Sequence, residues 1–278
     1  MIELDCAGRM LDLSKPVVMG VLNVTPDSFS DGGRWINLDQ ALMQAQAMLA
    51  QGAVIIDVGG ESTRPGAAEV PVAEELQRVL PVIEALRQDT DAILSIDTRK
   101  PQVMHAAVEA GATFINDVAA LRAPGALEMA GQSGAAVCLM HMQGEPGSMQ
   151  DAPHYDDVVT EVRSFLLGRV AACTGVGIAR ERIVIDPGFG FGKTLAHNYA
   201  LLARLDDMAA TGLPVLAGMS RKSMLGGVLN VPPDQRISGG IAAAVLAVER
   251  GARIIRTHDV LETVQALQVV AAMRQAAG

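Results

Sequence analysis

VVMGVLNVTPDSFSDGG, the stretch from Val17 to Gly33, begins as an apolar run and ends as a polar loop. The run is rich in valine and closes on Asn23, and the loop after it contains a proline, acidic and hydroxyl side chains and two glycines. A short apolar run of this kind is typical of a parallel β-strand that is covered on both faces. The loop that follows such a strand is a common position for functional residues.

The same pattern recurs along the chain, with helical periodicity between successive apolar runs. Eight strand-then-helix units predict an α/β fold, a single (β/α)8 TIM barrel domain over residues 1–278. A doubly wound open sheet is the alternative. The seven further predicted strands are Val54–Gly60, Ala92–Asp97, Phe114–Val118, Ala136–Met142, Arg182–Gly188, Pro214–Ser220 and Ala252–Asp259.

The starts of two of the helices are predicted from the sequence. Ser238 resembles the N-cap of a helix that ends at Gly251. The helix after the predicted sixth strand is expected to begin near His197.

Composition restricts the class of protein. The net charge of −9 argues against nucleic acid or an anionic membrane as the main partner. Charged residues interrupt Met1–Leu13, so no signal peptide is expected there, and apolar runs such as Ile241–Val248 are far shorter than the ~18 residues of a membrane span. The three cysteines, Cys6, Cys138 and Cys173, form no C-x-x-C pair. They are interpreted as reduced, structural thiols of a cytoplasmic protein.

In a TIM barrel the loops after the strands share one face, and that face carries the active site. Polar side chains at the ends of apolar strands cost about 1–3 kcal/mol each if they stay unpaired, so many of them together indicate a polar ligand. The residues that the predicted strands bring there are Asn23, Thr63, Arg64, Asp97, Asn116, Asp117, Met140, His141, Asp186, Ser220, Arg221, Lys222, Arg256 and His258.

The chemistry of this set indicates a heterocycle that carries an anion. Asp97, Asn116 and Asp186 offer oxygen acceptors for N–H groups on the edge of a ring. Four cationic or ionisable side chains would neutralise the anion, namely Arg64, Lys222, Arg256 and His258. Four of the eight aromatic residues fall in two of the loops, which favours a planar substrate; they are Phe29, Trp35, Phe189 and Phe191.

Some candidates have an equally good structural explanation. Asp57 is as consistent with a buried tether as with a ligand contact. His141 alone is more typical of a buried core histidine. Arg99 and Lys100 are expected to line a solvated helix start.

Several catalytic motifs fit incompletely. PGFGFGKT, residues 187–194, resembles a phosphate-binding P-loop, but Pro187 occupies the position of the first glycine, and the next helix is expected only near His197. The first strand lacks the paired histidines of a metal-dependent amidohydrolase, and the chain has no G-x-S-x-G elbow for a catalytic triad.

Taken together, seven motifs closely resemble those of dihydropteroate synthases, and the similarity covers essentially the whole chain. They are NVTPDSFSDGG (23–33), DVGGESTRPGA (57–67), SIDT (95–98), FINDV (114–118), DPGFGFGK (186–193), GMSRKSM (218–224) and R-x-H (256–258). Arg99 replaces a serine that is common in the family, at a position expected to point away from the substrates.

The resemblance implies a (β/α)8 barrel that condenses 4-aminobenzoate with (7,8-dihydropterin-6-yl)methyl diphosphate to give 7,8-dihydropteroate and diphosphate, with Mg²⁺. It also implies a homodimer and competition by sulfonamides at the aminobenzoate pocket. The implied site residues form four groups: Asp97, Asn116, Asp186, Lys222 and Met140 for the pterin; Thr63, Arg64, Arg256 and His258 for the diphosphate; Asn23 and Asp31 for the metal; and Phe29, Pro65, Gly190, Phe191 and Ser223 for the aminobenzoate. Lys222, Arg256 and Asp31 are the implied catalytic residues.

The expected mechanism is dissociative, SN1-like substitution, because diphosphate is a competent leaving group once its charge is neutralised and an arylamine attacks without a strong base. A pterin-dependent methyltransferase and a pterin-binding protein without catalysis are the alternative functions.

Overall fold

The computed structural model describes residues 2–25, 34–62, 69–144 and 147–276, with the backbone alone at 34–37. The strands in these residues are β1 (Glu3–Cys6), β2 (Arg9–Asp12), β3 (Val17–Asn23), β4 (Ile55–Gly59), β5 (Ile93–Asp97), β6 (Phe114–Asp117), β7 (Ala136–Met140), β8 (Ile183–Asp186), β9 (Val215–Ala217) and β10 (Ala252–Thr257). Eight of them are parallel and form a closed barrel in the order β10-β3-β4-β5-β6-β7-β8-β9. Each predicted strand contains one strand of the barrel. The TIM barrel is therefore confirmed, and the open sheet is wrong.

Helices cover the outside of the barrel. They are α1 (Arg34–Ala50), α2 (Val72–Asp89), α3 (Pro101–Glu109), α4 (Ala126–Ser133), α5 (Val158–Gly175), α6 (Leu195–Ala203), α7 (Asp206–Ala209), α8 (Ser223–Leu229), α9 (Ile237–Glu249) and α10 (Val260–Ala276). Outward-facing strand residues such as Ile56, Leu94 and Ile115 pack against buried helix residues such as Val79 and Val103 in one apolar cluster. None of the described helices is long and apolar enough to cross a membrane.

One predicted helix start is wrong and one is displaced. Ser238 lies inside α9, whose N-cap is Arg236, because a 3-10 turn at Pro233–Gln235 already leads the chain into the helix. The end of α9 is as predicted: Arg250 is the C-cap, and Gly251 follows with φ +95°.

The helix α6 begins at Leu195, two residues before the predicted start. The Thr194 hydroxyl accepts the His197 N–H at 3.2 Å, and His197 Nδ1 accepts the Thr194 N–H at 3.3 Å. This reciprocal capping box satisfies two N–H groups at the helix start, with histidine in the position usually taken by Glu or Gln.

Side chains that point into the barrel alternate with those that point outward, as the period of a strand requires. At the amino-terminal end of the strands the inward residues are apolar and belong to a second buried cluster, whose members include Met19, Ile55, Ile93, Phe114, Val184, Leu216 and Ile254. The antiparallel hairpin of β1 and β2 contributes Leu4 and Cys6 to this cluster, and Leu13 follows it. The hairpin, which the sequence pattern did not predict, therefore closes this end of the barrel.

The three cysteines are free and buried. Burial raises the pKa of the Cys6 thiol to about 12 and that of the Cys173 thiol to about 11. These features fit their interpretation as structural thiols, because a buried thiol with a raised pKa is a poor nucleophile.

Candidate functional site

A network of charged and polar side chains lies inside the barrel, one layer above the apolar residues. Asp57 Oδ2 accepts hydrogen bonds from Arg256 Nε at 2.6 Å and from Asn116 Nδ2 at 3.0 Å. Asp57 Oδ1 accepts one from Ser95 Oγ at 2.5 Å. The second branch of the guanidinium, Arg256 Nη2, donates to Asp97 Oδ2 at 2.7 Å. The network thus joins β4, β5, β6 and β10, which are far apart in sequence.

The register of the strands places further predicted residues at the same height. Asn23 pairs with Gly59, and Gly59 pairs with Asp97 on the next strand. A Cβ at Gly59 would lie 3.6 Å from Asn23 Oδ1 and 3.6 Å from the Asp97 Cβ. The glycine therefore keeps space open between an amide oxygen and a carboxylate.

Asp97 has an unsatisfied acceptor. Its Oδ2 pairs with Arg256, but its buried Oδ1 has no hydrogen-bond partner among the described residues. Burial raises the pKa of Asp97 to about 7, although the Arg256 charge lowers it. A buried acceptor without a donor is costly, so this oxygen favours a ligand that brings an N–H group.

Asp186 is the last residue of β8, and Lys222 is the N-cap residue of α8 in the segment that follows β9. Asp186 Oδ1 accepts the Gly188 N–H at 2.7 Å, and burial raises the pKa of this carboxyl. Lys222 Nζ donates to the Phe189 carbonyl at 2.6 Å and stands 4.7 Å from the centre of the Phe191 ring. Burial lowers the pKa of Lys222 to about 8, while the Asp186 charge raises it.

The glycines after β8 permit close packing of two backbone segments. Gly188 and Gly192 have φ of +69° and +61°. A Cβ at Gly188 would lie 1.9 Å from the His141 carbonyl oxygen, and one at Gly192 would lie 2.5 Å from that of Gln143. Side chains at both positions would collide with the chain that follows β7. The resemblance of this stretch to a P-loop therefore has a packing explanation.

An apolar wall lies beside these polar groups. It is a small buried cluster of Val118, Met140, Met142, Met149 and Phe191. Met140 pairs with Asp186 in the register of β7 and β8, so a thioether and a carboxylate lie side by side. This combination suits a flat, polar-edged ring, which needs both contact area and hydrogen bonds.

His258 lies on the same side of the barrel, two residues after Arg256. Its Nδ1 is 3.1 Å from Ser220 Oγ, and its backbone N–H donates to the same oxygen at 3.2 Å. Arg221 Nη2 pairs with Asp259 at 2.5 Å behind them.

The structure brings most of the predicted site residues to one end of the barrel. These are Asn23, Asp97, Asn116, Met140, Asp186, Gly190, Phe191, Lys222, Ser223, Arg256 and His258. Five other predicted residues, Phe29, Asp31, Thr63, Arg64 and Pro65, lie outside the described residues.

One expectation from the sequence is wrong. Lys100 does not line a solvated helix start: it is buried, contacts Glu61 and lies 2.6 Å from Glu75 Oε2. The reason is that the chain after β4 and the first turn of α2 each bring a carboxylate to it. Arg99 Nη2 lies 3.0 Å from Glu69 and 3.7 Å from Glu61.

Two further residues matter to the site more than the sequence indicated. Asp57 is a buried tether, because it holds Arg256 and Asn116. Lys193, which the sequence placed only in an incomplete P-loop motif, is buried beside His141, with Nζ 3.0 Å from His141 Nδ1. His141 is the buried histidine that was expected. The lysine of a G-K-T sequence was the available signal for Lys193, but it suggested phosphate.

The described residues include no group of three or more His, Cys, Asp or Glu side chains that could hold a metal ion.

Comparison with known proteins identifies close relatives. Residues 19–258 match the family described as pterin binding enzyme. The chain is 57% identical over 270 residues to the dihydropteroate synthase of Escherichia coli strain K12, which covers 97% of the chain and 96% of that protein.

Solved structures give the same result. A Yersinia pestis dihydropteroate synthase in a sulfonamide drug complex has 57% identity and a TM-score of 0.94, covering 98% of this chain and 99% of that one. A Xanthomonas albilineans dihydropteroate synthase with 4-aminobenzoic acid has 53% identity and a TM-score of 0.93, covering 98% of both chains.

Proposed function

The chain belongs to the dihydropteroate synthase family of pterin-binding enzymes, and we propose that it carries out the synthase reaction at the carboxyl-terminal end of its barrel. In this reaction the amine of 4-aminobenzoate replaces the diphosphate of (7,8-dihydropterin-6-yl)methyl diphosphate. The products are 7,8-dihydropteroate and diphosphate, and the step is part of folate biosynthesis.

The observation that carries this proposal is the arrangement of acceptors inside the barrel. The unpaired Asp97 oxygen and the amide of Asn116 lie on neighbouring strands, and Asp186 lies beyond them on β8. The edge of a pterin offers several N–H donors and a carbonyl oxygen. Acceptors from several strands, together with the ammonium of Lys222, match such an edge. Met140 supplies the apolar surface against which the ring packs.

The diphosphate has cationic partners in the same place. Arg256 is held in position by Asp57 and Asp97. Burial lowers its pKa, but the surrounding carboxylates, Asp57 and Asp97 foremost, raise it above the ordinary value overall, so it stays charged. Arg256 and His258 would contact the diphosphate, together with Thr63 and Arg64. A fixed cation next to a leaving group stabilises the charge that develops there.

The proposed site offers oxygen ligands that could hold Mg²⁺. Magnesium prefers oxygen ligands and is commonly bound by one or two protein groups, with phosphates and water supplying the rest. Asn23 Oδ1 faces the space that Gly59 leaves open, and Asp31 is the second proposed ligand. The ion would neutralise diphosphate charge. This arrangement favours a metal that arrives with the substrate.

Substitution is proposed to be dissociative. The electron-rich dihydropterin stabilises a cation at its exocyclic CH₂ group, and Asp31 is proposed to steady that charge. The amine of 4-aminobenzoate is neutral at pH 7 and attacks with its lone pair.

Positional isotope exchange tests this mechanism. The pterin diphosphate is labelled with ¹⁸O at the oxygen that joins the exocyclic CH₂ group to the first phosphorus. It is then incubated with the enzyme and Mg²⁺, without 4-aminobenzoate. Scrambling of the label in recovered substrate is expected. Absence of both scrambling and diphosphate release, in enzyme that turns over normally with the amine, would favour concerted displacement.

A coupled diphosphate-release assay with both substrates tests the function and the site. Lys222→Ala is expected to abolish turnover, and Asp186→Asn to raise the KM for the pterin substrate. Arg204→Ala, which changes an exposed ion pair between outer helices, is the control and should behave as wild type. Wild-type enzyme without diphosphate release would instead favour a methyltransferase or a binding protein, and normal kinetics in both site variants would refute the assignment.

The 4-aminobenzoate is proposed to lie between the loop after β8 and the start of α8. Gly190, Phe191 and Ser223 would frame it, with Phe29 and Pro65. Gly190 leaves room beside the Lys222 side chain, since a Cβ there would lie 3.3 Å from Lys222 Cδ. Sulfonamides should compete with 4-aminobenzoate here, which steady-state inhibition at varied 4-aminobenzoate would reveal.

A homodimer in the cytoplasm is also proposed. Reduced, buried thiols suit a reducing compartment. Apolar side chains on α9 and α10, among them Leu246, Val269 and Met273, are 45%, 70% and 52% exposed, and a second copy of the chain would cover them. Light scattering should give the dimer mass for wild type and a smaller mass for Leu246→Glu with Val269→Glu.

A further inference from the structure

We propose that Lys193 is a positioning residue for the synthase reaction, which holds the loop from Gly188 to Phe191 in the shape that presents its Phe189 carbonyl and its Phe191 ring to Lys222. The inference rests on the proposed function. Lys193 itself would contact neither substrate.

The Lys193 ammonium is buried among backbone carbonyls. Its side chain is 3% exposed. Nζ lies 2.9 Å from the Gly188 carbonyl oxygen, 2.9 Å from that of Phe191 and 3.3 Å from that of His141. These acceptors belong to two segments, the end of β7 and the loop after β8. A single charged group therefore ties the two segments together.

His141 completes the set of acceptors. Burial, with the Lys193 charge, lowers the pKa of His141 to about 3, so the ring is neutral. Its Nδ1, 3.0 Å from Lys193 Nζ, can then accept a hydrogen bond while the ring proton resides on Nε2. Four acceptors thus surround an ammonium that has three N–H donors.

This arrangement is expensive if its only purpose is stability. Burying an ammonium costs free energy, and burial accordingly lowers the pKa of Lys193 to about 7, so the geometry of the bonds, which a neutral amine also makes in part, carries the inference. The Asp186 carboxylate raises this pKa, although among the described residues no carboxylate lies within ion-pair distance of Lys193 Nζ. An apolar side chain of similar length would avoid that cost but would leave the carbonyls of His141, Gly188 and Phe191 without this donor, so the bonds of Lys193 fix the positions of these carbonyls.

Carbonyl groups of the loop accept hydrogen bonds from two different lysines, Lys193 and Lys222. Gly188 and Phe191 face Lys193, whereas the Phe189 carbonyl lies 2.6 Å from Lys222 Nζ. The Phe191 ring lies 4.7 Å from the same Nζ. Moving the carbonyls that Lys193 holds would displace the groups that orient Lys222. His141 directly follows Met140, so the same anchor also fixes the end of the apolar wall.

The test compares kinetic constants of folded variants. Lys193→Met removes every donor, and Lys193→Gln keeps two N–H donors without a charge. We expect kcat/KM for the pterin diphosphate to fall about tenfold or more in Lys193→Met, with Lys193→Gln between it and wild type, because small displacements of catalytic groups carry large kinetic effects. If Lys193→Met does not fold, Lys193→Gln must still show the decrease.

Arg182→Met is the matched control. Arg182 donates to the Ala135 carbonyl at 3.0 and 2.6 Å and to that of Ala130 at 3.4 Å, at the amino-terminal end of the same strand β8. The Arg182→Met variant should have a lower free energy of unfolding, whereas its folded fraction should keep wild-type KM and kcat. If Lys193→Met and Lys193→Gln keep wild-type kcat/KM, as Arg182→Met is expected to do, the inference is overturned. A wild-type enzyme without synthase activity would instead refute the proposed function.

Discussion

Asp57, on β4, is connected through its two carboxylate oxygens to the neighbouring strand β5, to β6 beyond it and to β10, which lies on the other side of β3. It is fully buried, and the donors that it accepts come from Ser95, Asn116 and Arg256. The bond from Asn116 Nδ2 fixes the orientation of that amide, and the bond from Arg256 fixes the guanidinium. Asp57 therefore fixes the positions of two residues of the proposed substrate site.

Asp57→Asn is expected to damage both stability and catalysis. The amide removes the charge that pairs with Arg256 and places N–H groups opposite existing donors. Breaking a buried ion pair on one side costs roughly 3–5 kcal/mol of unfolding free energy. A misplaced guanidinium should also lower kcat/KM by about 100-fold. Urea denaturation and diphosphate release measure the two effects.

Ser95→Ala is the control for that variant. It removes one hydrogen bond to the same carboxylate and should cost about 1 kcal/mol, with kinetics close to wild type. Equal effects of the two substitutions would show that the charge of Asp57 has no special role.

The residues that end apolar strands could be predicted from sequence, and those that work through partners could not. Asp97 and Asp186 follow runs that only a strand explains, so their position on the site face was predictable. Asp57 has the same local pattern whether it binds a ligand or a neighbour. Lys100 was misjudged because Glu61 and Glu75, which bury it, come from other elements.

At the scale of elements, the turn after β6 holds two residues in a strained conformation. Ala120 and Leu121 have φ of +54° and +57°, although neither is glycine. Asp117 accepts the N–H groups of Ala119 and Leu121, each at 2.7 Å. Arg169 donates to the carbonyls of Ala120 and Leu121 at 2.8 and 3.0 Å. These bonds enforce a turn that places Val118 in the apolar wall of the site.

Asp117→Asn should loosen this turn, because an amide has one acceptor oxygen where the carboxylate has two. We expect a loss of about 1–3 kcal/mol in unfolding free energy. The loss should depend on pH. Burial raises the pKa of Asp117 to about 6 from 3.8, so the folded state binds the proton more tightly than the unfolded state. The part of the stability that comes from this proton is complete below the unfolded pKa and is lost as the pH rises through 6.

Urea denaturation across that pH window therefore separates the two proteins. The unfolding free energy of wild type should decline between about pH 4 and pH 6 because Asp117 loses its proton, and Asp117→Asn should lack this decline. Ala120→Gly acts in the opposite direction, because glycine tolerates positive φ, and should be neutral or stabilising by up to about 1 kcal/mol. Equal destabilisation by Ala120→Gly and Asp117→Asn would mean that the turn is not strained.

The loop after β8 shows why a glycine pattern alone is ambiguous. Glycines admit a phosphate to a backbone, but they equally admit a second backbone, as Gly188 and Gly192 do. Sequence spacing is similar in both cases. Only the position of the chain after β7 distinguishes them, and that position is a property of the closed barrel.

For the whole molecule, the eight strands were predictable from their period, whereas the amino-terminal hairpin was not. Its strands have four residues each, too few for a clear alternation. Its turn uses Ala7 and Gly8, with φ of +56° and +82°, where Asn-Gly or Asp-Gly is the usual signal. The hairpin is recognisable only through what it covers, which is the apolar end of the barrel.

The hairpin covers the amino-terminal end of the strands, which contributes mainly to stability, whereas the proposed active site lies at the carboxyl-terminal end, as is general for this fold. Leu4 is fully buried against the apolar layer, and Met10 of the same hairpin is 57% exposed. Leu4→Ala should lower the unfolding free energy by about 2–5 kcal/mol, and Met10→Ala should change it by less than about 0.5 kcal/mol.

Neither substitution should alter KM for 4-aminobenzoate or the pterin diphosphate at a temperature where the protein is folded. Between Leu4 and the substrates lie the apolar layer and the Asp57 network, and the network is held by ion pairs and hydrogen bonds among the strands themselves. A changed KM in Leu4→Ala alone would mean that the interior of the barrel transmits a packing defect from one end to the other. The polar layer would then be a continuation of the core and not an independently fixed platform for the substrates.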